Sequence, residues 1–311
     1  MPPLSHQYLK LQTLDVQLDP TPLLVSVRTL IEAVKLEFKA QGFETQLPEF
    51  PVFFNDHVAN DFNTLFKAFP IDRTYMAAGV PGSFHGRLFP KASMNLMHSS
   101  FAVQWLTRVP QEVTKEVSPA WNKGRITYAR NESSKVEEAY AAQFARDMKA
   151  FFTARSAELA DDGLLAILMP CRPEPSLPSE STLMNILECL GDALADMVKE
   201  SLLSEAAVDS FNLPIYVPSA SEVEGVILLG TKNKNLVVVL RGRRKCASQQ
   251  SFLVLSRFEF PAFMQELQWK TSCASISDPT SMLMNFSRDI RTSLKNSPSH
   301  LGLLALRTWQ I

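Results

Sequence analysis

The chain has 311 residues, of which 46% are hydrophobic and 20% charged, and its formal net charge is −1. This composition allows one large domain, or a core domain with a cap, and it lacks the positive charge that nucleic-acid binding needs. No run approaches the roughly 20 apolar residues of a membrane span, and the first ten residues lack a signal-peptide apolar region. We therefore expect a cytoplasmic protein that binds neither nucleic acid nor membranes, with four widely spaced, reduced cysteines.

The first half of the chain alternates apolar runs of strand length with segments at helical spacing. Apolar residues recur every three or four positions from Leu23 to Phe38 and stop before Gly42, a residue type that often follows a helix end. The predicted elements are a helix over 22–41, a strand over 50–54, a helix over 61–69, strands over 75–78 and 95–98, and helical spacing over 101–106.

The second half opens with a long helix predicted over 134–159. Ser133 or Ser134 can cap its start, and Glu137 supplies the acid of a capping box. Asp162-Gly163 then predicts a turn into a buried strand over 164–169. The alternation of strands and helices predicts a parallel sheet with helices on both faces. Beyond this strand we expect a helical cap. It comprises a Pro/Ser-rich loop over 173–181, a helix over 182–203 and an irregular stretch over 211–218.

Two features beside predicted strands suggest a binding site. Asp56 follows the strand over 50–54, where nucleotide-binding sheets place a carboxylate for two ribose hydroxyls. It could equally cap the next helix. The segment from Gly79 to Gly86 has no Gly-Lys-Ser/Thr ending, and it carries Pro81 where a nucleophile elbow needs glycine. We interpret this segment as a loop that binds rather than reacts.

The histidines do not form a catalytic or metal-binding set. His98 precedes a pair of serines, but no acid is placed to complete a triad, so a structural role is favoured. His57 and His85 are too isolated to serve as metal ligands. Phe101 and Trp105 are either core residues or one wall of an apolar pocket.

A series of motifs resembles the plant SABATH family of S-adenosylmethionine-dependent methyltransferases. The resemblance covers about residues 20–230, and the order and spacing of the motifs make it specific. The motifs are Asn55-Asp56, Asn60-Asp-Phe-Asn63, the segment Gly79 to Pro90, Ser99-Ser-Phe-Ala-Val-Gln-Trp-Leu106, Asn122-Lys-Gly124 and Asp209-Ser-Phe-Asn-Leu-Pro214. Members of this family methylate the carboxylates of small plant acids, of hormone or benzenoid type, or the ring nitrogens of xanthine alkaloids. The resemblance implies an α/β fold with the Rossmann-like sheet of class I methyltransferases and a helical cap.

The resemblance also implies roles for individual residues, and with it we expect a homodimer. The residues implied to bind S-adenosylmethionine are Thr21, Asp56, His57, Ser83 and Phe84. The residues implied to bind the small carboxylic acid are Phe101, Gln104, Trp105 and Leu187. The residues at positions that some members associate with a magnesium ion are Asn122, Asp209, Phe211 and Asn212.

The implied chemistry needs positioning rather than acid–base groups. A carboxylate of pKa roughly 4 is already ionised at neutral pH and requires no general base. Alignment of its oxygen in line with the sulfonium methyl group can supply roughly 7–11 kcal/mol. We expect the indole N–H of Trp105 and the amide of Gln104 each to donate to one carboxylate oxygen. Leu187, in place of a bulky aromatic residue, predicts a pocket roomier than one of salicylate size.

The chain departs from the family at both ends. The glycine-rich turn that follows the first family strand is missing, no glycine precedes Gly42, and Thr21 takes the position of an asparagine. Residues 230–250 predict a strand and a basic turn, and 251–260 and 284–294 only faintly resemble the closing strand and helix. We expect a core over 1–172 and about 226–311, with a cap over about 173–225.

Two interpretations of function therefore compete, since a third, an unrelated α/β binding protein, leaves the series of motifs unexplained. The first is an S-adenosylmethionine-dependent O-methyltransferase that acts on a small plant acid by in-line displacement. The second is a catalytically inactive or truncated member of the family that serves as a binding or dimerisation partner.

Overall fold

A seven-stranded sheet organises the residues that the computed structural model describes, namely 11–14, 21–40, 42–231, 237–242 and 250–256. Its strands are β1 (Leu11–Leu14), β2 (Pro51–Asp56), β3 (Met76–Pro81), β4 (Met94–Ser100), β5 (Leu159–Pro170), β6 (Val237–Gly242) and β7 (Gln250–Ser256). The strand order is β3-β2-β1-β4-β5-β7-β6. Strands β1 to β5 pair in parallel, and β7 runs antiparallel to both β5 and β6. This order confirms the predicted Rossmann-like α/β fold.

Six α-helices of the described ranges lie between the parallel strands or follow the last of them. They are α1 (Thr21–Ala40), α2 (Phe62–Lys67), α3 (Ser134–Glu158), α4 (Thr182–Lys199), α5 (Glu205–Asp209) and α6 (Ala220–Thr231). Short 3₁₀ helices lie at Glu44–Gln46, Gln111–Thr114 and Pro178–Glu180. No helix of the described residues is both long and apolar enough to cross a membrane.

Two hydrophobic clusters lie on opposite faces of the sheet. Phe53 of β2 packs against the larger cluster, whereas its neighbours Val52 and Phe54 belong to the smaller one, as expected when successive side chains of a strand point to opposite faces. Helix α1 covers the smaller cluster with the residues that its periodicity predicts, namely Leu23, Val27, Leu30, Ile31 and Val34. The larger cluster joins α3 to α4, α6 and the irregular segment 213–217. The predicted boundary between core and cap stays a prediction.

Helix α3 begins with one of the two predicted caps, but the capping box predicted with Glu137 is wrong. The Ser133 side chain accepts a hydrogen bond from the N–H of Lys135 and caps the helix. Glu137 instead accepts from Nη2 of Arg172 at 2.9 Å, and the same guanidinium group donates to Glu222 at 3.3 Å. Arg172, which follows β5, therefore binds the carboxylate that was predicted to cap the helix, and it links α3 to α6.

Strand β5 is longer than the sequence predicts, and the turn expected at Asp162-Gly163 is wrong. The register shifts between Met94 and Leu96 of β4, which face Leu159 and Leu164 of β5, so the extra residues form an irregularity within a continuous strand. The predicted basic turn and the C-terminal helix lie outside the described residues. Cys171 and Cys189, the two cysteines within the described ranges, form no disulfide bond there.

Candidate functional site

The carboxyl ends of β1, β2 and β4 meet where the strand order reverses, the place at which open α/β sheets bind ligands. Leu14 of β1 is in register with Asn55 of β2 on one side and with Ser99 of β4 on the other. Both flanking residues are 0% exposed. Among the described residues, neither Oδ1 of Asn55 nor Oγ of Ser99 has a hydrogen-bond partner. Unpaired buried polar atoms are costly, so these two atoms are candidates for contact with a ligand at this edge.

Asp56 ends β2 at this same edge and is 9% exposed. Its Oδ1 atom accepts the N–H of His57 and its Oδ2 atom accepts Nδ2 of Asn60, both at 2.5 Å. The alternative role as the cap of α2 is wrong, because Asp61 caps that helix through the N–H of Asn63. The carboxylate of Asp56 is thus held in one orientation at the strand end, whereas the side chain of His57 is exposed.

The segment 82–90, here called the glycine loop, follows β3. The carboxamide of Asn55 donates to the main-chain oxygens of Val80 at 2.7 Å and Gly82 at 2.9 Å. The N–H of Gly82 donates to the main-chain oxygen of Asp56 at 2.8 Å. Gly82 has φ +148°, and an added Cβ would lie 2.9 Å from Cδ2 of Leu88. This position therefore requires glycine, and the loop starts directly beside Asp56.

Two charged residues of α3 hold the rest of the glycine loop. Arg155 and Glu158 form an ion pair of 2.7 Å in which both side chains are 0% exposed. Arg155 donates to the main-chain oxygens of Phe84 and Gly86, each at 2.8 Å. Glu158 accepts the N–H groups of Leu88 at 2.5 Å and Phe89 at 3.0 Å. Sequence reasoning missed this pair, although two opposite charges three residues apart on an apolar helix face were a usable signal.

The predicted cofactor residues of the loop occupy two environments. Ser83 is exposed, and its Oγ atom accepts the N–H of His85 at 3.3 Å. Phe84 is half-buried and packs edge-on against Phe151 of α3, with ring centroids 6.1 Å apart. The loop thus presents a serine and one partly covered aromatic ring beside Asp56. Thr21 begins α1, but its side chain lies outside the described structure.

Residues 101–106, here called the acceptor turn, follow β4 and do not form the predicted helix. Phe101 has a left-handed φ of +52°, and its main-chain oxygen accepts the carboxamide Nε2 of Gln104. Trp105 pairs with Ile215 in an isolated antiparallel bridge, and the main-chain oxygen of Gln104 accepts the N–H of Tyr216. The irregular segment 213–217 therefore fixes the acceptor turn, which helical periodicity could not reveal.

The polar groups of the acceptor turn differ from expectation in one respect. Gln104 is 3% exposed, and one of its Nε2 hydrogens already donates to the main-chain oxygen of Phe101. Its Oε1 atom is buried without a hydrogen-bond partner among the described residues. Trp105 is half-buried. Leu187 is 0% exposed within the larger hydrophobic cluster, so its contact with an acceptor stays a prediction.

His85 links the glycine loop to the acceptor turn. Burial lowers the pKa of His85 below its ordinary value, and the Asp147 carboxylate together with main-chain hydrogen bonds at Asp147 and Trp105 opposes this shift in part. The imidazole is therefore biased towards its neutral form. His98, in contrast, lies 4% exposed in β4, where burial lowers its pKa from 6.5 to about 4. A neutral, buried His98 agrees with the favoured structural role.

The predicted magnesium residues converge, but they do so as a hydrogen-bond network. Asn122 donates its carboxamide to Oδ1 of Asn212 at 2.6 Å, and its own Oδ1 accepts from Asn131 at 2.9 Å. Oδ1 of Asp209 accepts the N–H of Gly124 at 2.6 Å. Magnesium requires a near-octahedral set of oxygen ligands, and the oxygens of both amides here already accept hydrogen bonds.

As they are arranged here, the side chains of Asn122 and Asn212 therefore do not fit a magnesium ion, and Phe211 could offer only its main-chain oxygen. Among the described residues, no group of three or more His, Cys, Asp or Glu could hold a metal ion. The network instead joins the segment 122–131 to Asp209 and Asn212, which precede the irregular segment 213–217.

Comparison with known proteins relates this arrangement to one family. The model of the family described as SAM-dependent carboxyl methyltransferase matches residues 21–235. A loganic acid O-methyltransferase of Catharanthus roseus is 43% identical over 203 residues, which cover 65% of this chain and 54% of that protein. A 3,7-dimethylxanthine N-methyltransferase of Camellia sinensis var. assamica is 39% identical over 200 residues, which cover 62% and 54% respectively. The chain thus spans about half the length of the curated relatives that it matches.

One solved structure is similar over most of the fold. A loganic acid methyltransferase with S-adenosylhomocysteine (SAH) superposes with a TM-score of 0.74 at 30% sequence identity. The superposition covers 81% of this chain and 85% of that one.

Proposed function

Because the chain belongs to the S-adenosylmethionine-dependent carboxyl methyltransferases, the SABATH family, we propose that it transfers a methyl group to the carboxylate of a small plant acid. The observation that carries this proposal is the strand edge at which Asn55, Asp56 and Ser99 lie together. Asp56 offers a fixed carboxylate, and the other two offer buried atoms without a partner among the described residues. Such an edge fits a ligand with hydroxyl and amine groups, as the ribose and the methionine half of S-adenosylmethionine provide.

Each segment of the edge has its own task. Asp56 would hold the two ribose hydroxyls, and Ser83 and Phe84 would contact the adenine. The cofactor, when bound, supplies a methyl group on a positively charged sulfur that an incoming oxygen displaces. The turn that would bear the methionine half falls on residues 15–20, outside the described structure, and Thr21 would border it.

The acceptor turn would orient the acid. Trp105 has an indole N–H that can donate to one carboxylate oxygen and leave the other to attack. The second hydrogen on Nε2 of Gln104 can also donate, and its unpaired Oε1 atom can accept from a hydroxyl group of the acid. None of residues 101–106 is an acid or a base, which agrees with a reaction that requires no proton transfer. The half-buried Phe101, the core residue Leu187 and the predicted cap over 173–225 would exclude water.

The first test is calorimetric titration of the folded chain with SAH. We expect binding by the wild-type chain and weakening of about 10- to 100-fold in Asp56→Asn, because hydrogen bonds to a charged group contribute about 1.5–3 kcal/mol. Asp72→Asn, a charge removal at an exposed position between α2 and β3, should bind like wild type. Circular dichroism of each variant controls for folding, since Asp56 also pairs with Asn60.

A second measurement separates the acceptor classes. Mass spectrometry should detect a methyl ester after incubation with S-adenosylmethionine and loganic acid or a benzenoid acid, and no product with a methylxanthine. Methylation of the xanthine alone would refute the carboxylate acceptor. Failure of the folded wild-type chain to bind SAH would refute the enzymatic proposal and favour an inactive family member that binds a partner. The expected homodimer and cytoplasmic location stay predictions.

A further inference from the structure

We propose that Arg155 and Glu158 are positioning residues whose buried ion pair shapes the glycine loop for the adenine end of the cofactor. The proposal rests on the proposed function for the identity of the ligand. The geometry on which it depends, two α3 side chains bonded to four main-chain groups of one loop, is independent of that ligand.

The pair holds the loop at four points over six residues. The guanidinium donates to the main-chain oxygens of Phe84 and Gly86, and the carboxylate accepts the N–H groups of Leu88 and Phe89. The ion pair itself joins Nε and Nη2 of Arg155 to Oε2 of Glu158 at 2.8 and 2.7 Å. Apart from the bonds that join them to each other, the two side chains bond to the loop.

The same arginine also sets the environment of the Phe84 ring. Its guanidinium carbon lies 5.4 Å from the centroid of the Phe151 ring, and that ring packs edge-on against Phe84. Arg155 therefore fixes the main chain of Phe84 directly and its ring through one neighbour. A displaced guanidinium would release both, and Ser83 would move with them.

Stability alone does not explain a pair of this kind. Burial of two charges is expensive, and well-packed apolar residues at such positions are often as stabilising or more so. An apolar pair could fill the same volume but could not bond to four main-chain groups. Only the charged pair can therefore hold the loop in one conformation. A loop that becomes ordered only when the ligand binds lowers the affinity for that ligand.

The central experiment replaces both charges at once. Arg155→Met combined with Glu158→Leu leaves no unpaired buried charge, but four main-chain groups lose their partners, so we expect a lower melting temperature than that of wild type. The dissociation constant for SAH, measured by calorimetry, should rise at least tenfold. Hydrogen exchange at the amides of Leu88 and Phe89 should accelerate at least tenfold, since these two groups lose their acceptor.

A matched control lies on the same helix. Lys135 and Glu138 form an i,i+3 ion pair with side chains 58% and 56% exposed. Lys135→Met with Glu138→Leu therefore removes one positive and one negative charge, as the core variant does, but at the surface. This control should change neither the dissociation constant nor the two exchange rates. If the double core variant fails to fold, Arg155→Lys serves in its place. Lysine keeps the charge but lacks the planar fork that reaches both carbonyls, and the same loss of affinity is expected.

Equal SAH affinity in a folded core variant and in wild type would overturn the proposal, even if the melting temperature falls. If the wild-type chain itself does not bind SAH, the proposed function fails, and the role of the pair toward the cofactor fails with it. The exchange rates at Leu88 and Phe89 then still decide whether the pair holds the loop, and unchanged rates would overturn that as well.

Discussion

The buried imidazole of His98 predicts a specific loss of stability in mild acid. His98 lies in β4, between β1 and β5, and burial lowers its pKa from 6.5 to about 4. Below pH 6.5 the unfolded chain takes up a proton at this residue, whereas the folded chain does not until the pH approaches 4. Stability from the neutral form is therefore complete above pH 6.5 and is lost progressively as the pH falls toward 4.

The magnitude follows from these two pKa values. Between pH 7 and pH 5, His98 should lower the free energy of unfolding by about 2 kcal/mol. The pKa of His85 is also lowered by burial, which adds a loss of the same sign. For this reason the effect must be measured as a difference between wild type and a variant that lacks only His98.

The assay is urea unfolding of wild type and His98→Gln at pH 7 and at pH 5. Wild type should lose about 2 kcal/mol more than the variant between these two conditions, whatever the stability of the variant at pH 7. His57→Gln, which removes an exposed histidine, should retain the wild-type pH dependence. An equal loss in wild type and His98→Gln would refute the reasoning. So would an NMR titration in which the His98 imidazole protonates near pH 6.5, and this measurement does not require the variant to fold.

Further predictions concern the loop, a helix cap, the acceptor turn and metal dependence. Gly82→Ala should lower the free energy of unfolding by about 1–3 kcal/mol and weaken SAH binding, because the added Cβ would press on Leu88. Gly225→Ala, with nothing within 4 Å of the added carbon, should not destabilise. Ser133→Ala should cost about 1 kcal/mol in urea unfolding through the lost cap of α3, whereas the same change at its neighbour Ser134 should cost less. Trp105→Ala should abolish methyl transfer yet leave SAH binding nearly intact, and equal loss of both would refute its role. Removal of divalent metals with EDTA should change neither melting temperature nor SAH affinity, and a fall in either would contradict the absence of a fit for magnesium.

The fold could be predicted to a large extent because its signals are local. The α1 residues from Leu23 to Val34 repeat at helical spacing and are buried as expected. The strand before Asp56 and the long helix after Ser133 are likewise defined by neighbouring residues. Segments with such regular patterns form the predicted helices and strands, because each helix that covers the sheet buries one apolar face against it.

The parts that escaped prediction depend on partners far away in the chain. Phe101 and Trp105 stand four residues apart, which suits a helix, but pairing of Trp105 with Ile215 selects a turn instead. Arg155 and Glu158 lie on the apolar face of α3, but the helix alone could not show that their partners are in the glycine loop, about 70 residues earlier. For the predicted magnesium residues, the resemblance correctly implied that Asn122 and Asn212 meet. It could not show that the two amides would satisfy each other.

The place of β1 in the sheet has a consequence for how the chain folds. This strand has four described residues and lies between β2 and β4, so Leu11 pairs with Val52 on one side and with Leu96 on the other. During synthesis, the second edge of β1 therefore stays uncovered until β4 has left the ribosome. Contacts between residues so distant in sequence slow folding, and an uncovered strand edge can associate with other chains. Co-expression with chaperones should therefore increase the soluble yield of this chain more than a stabilising surface substitution would.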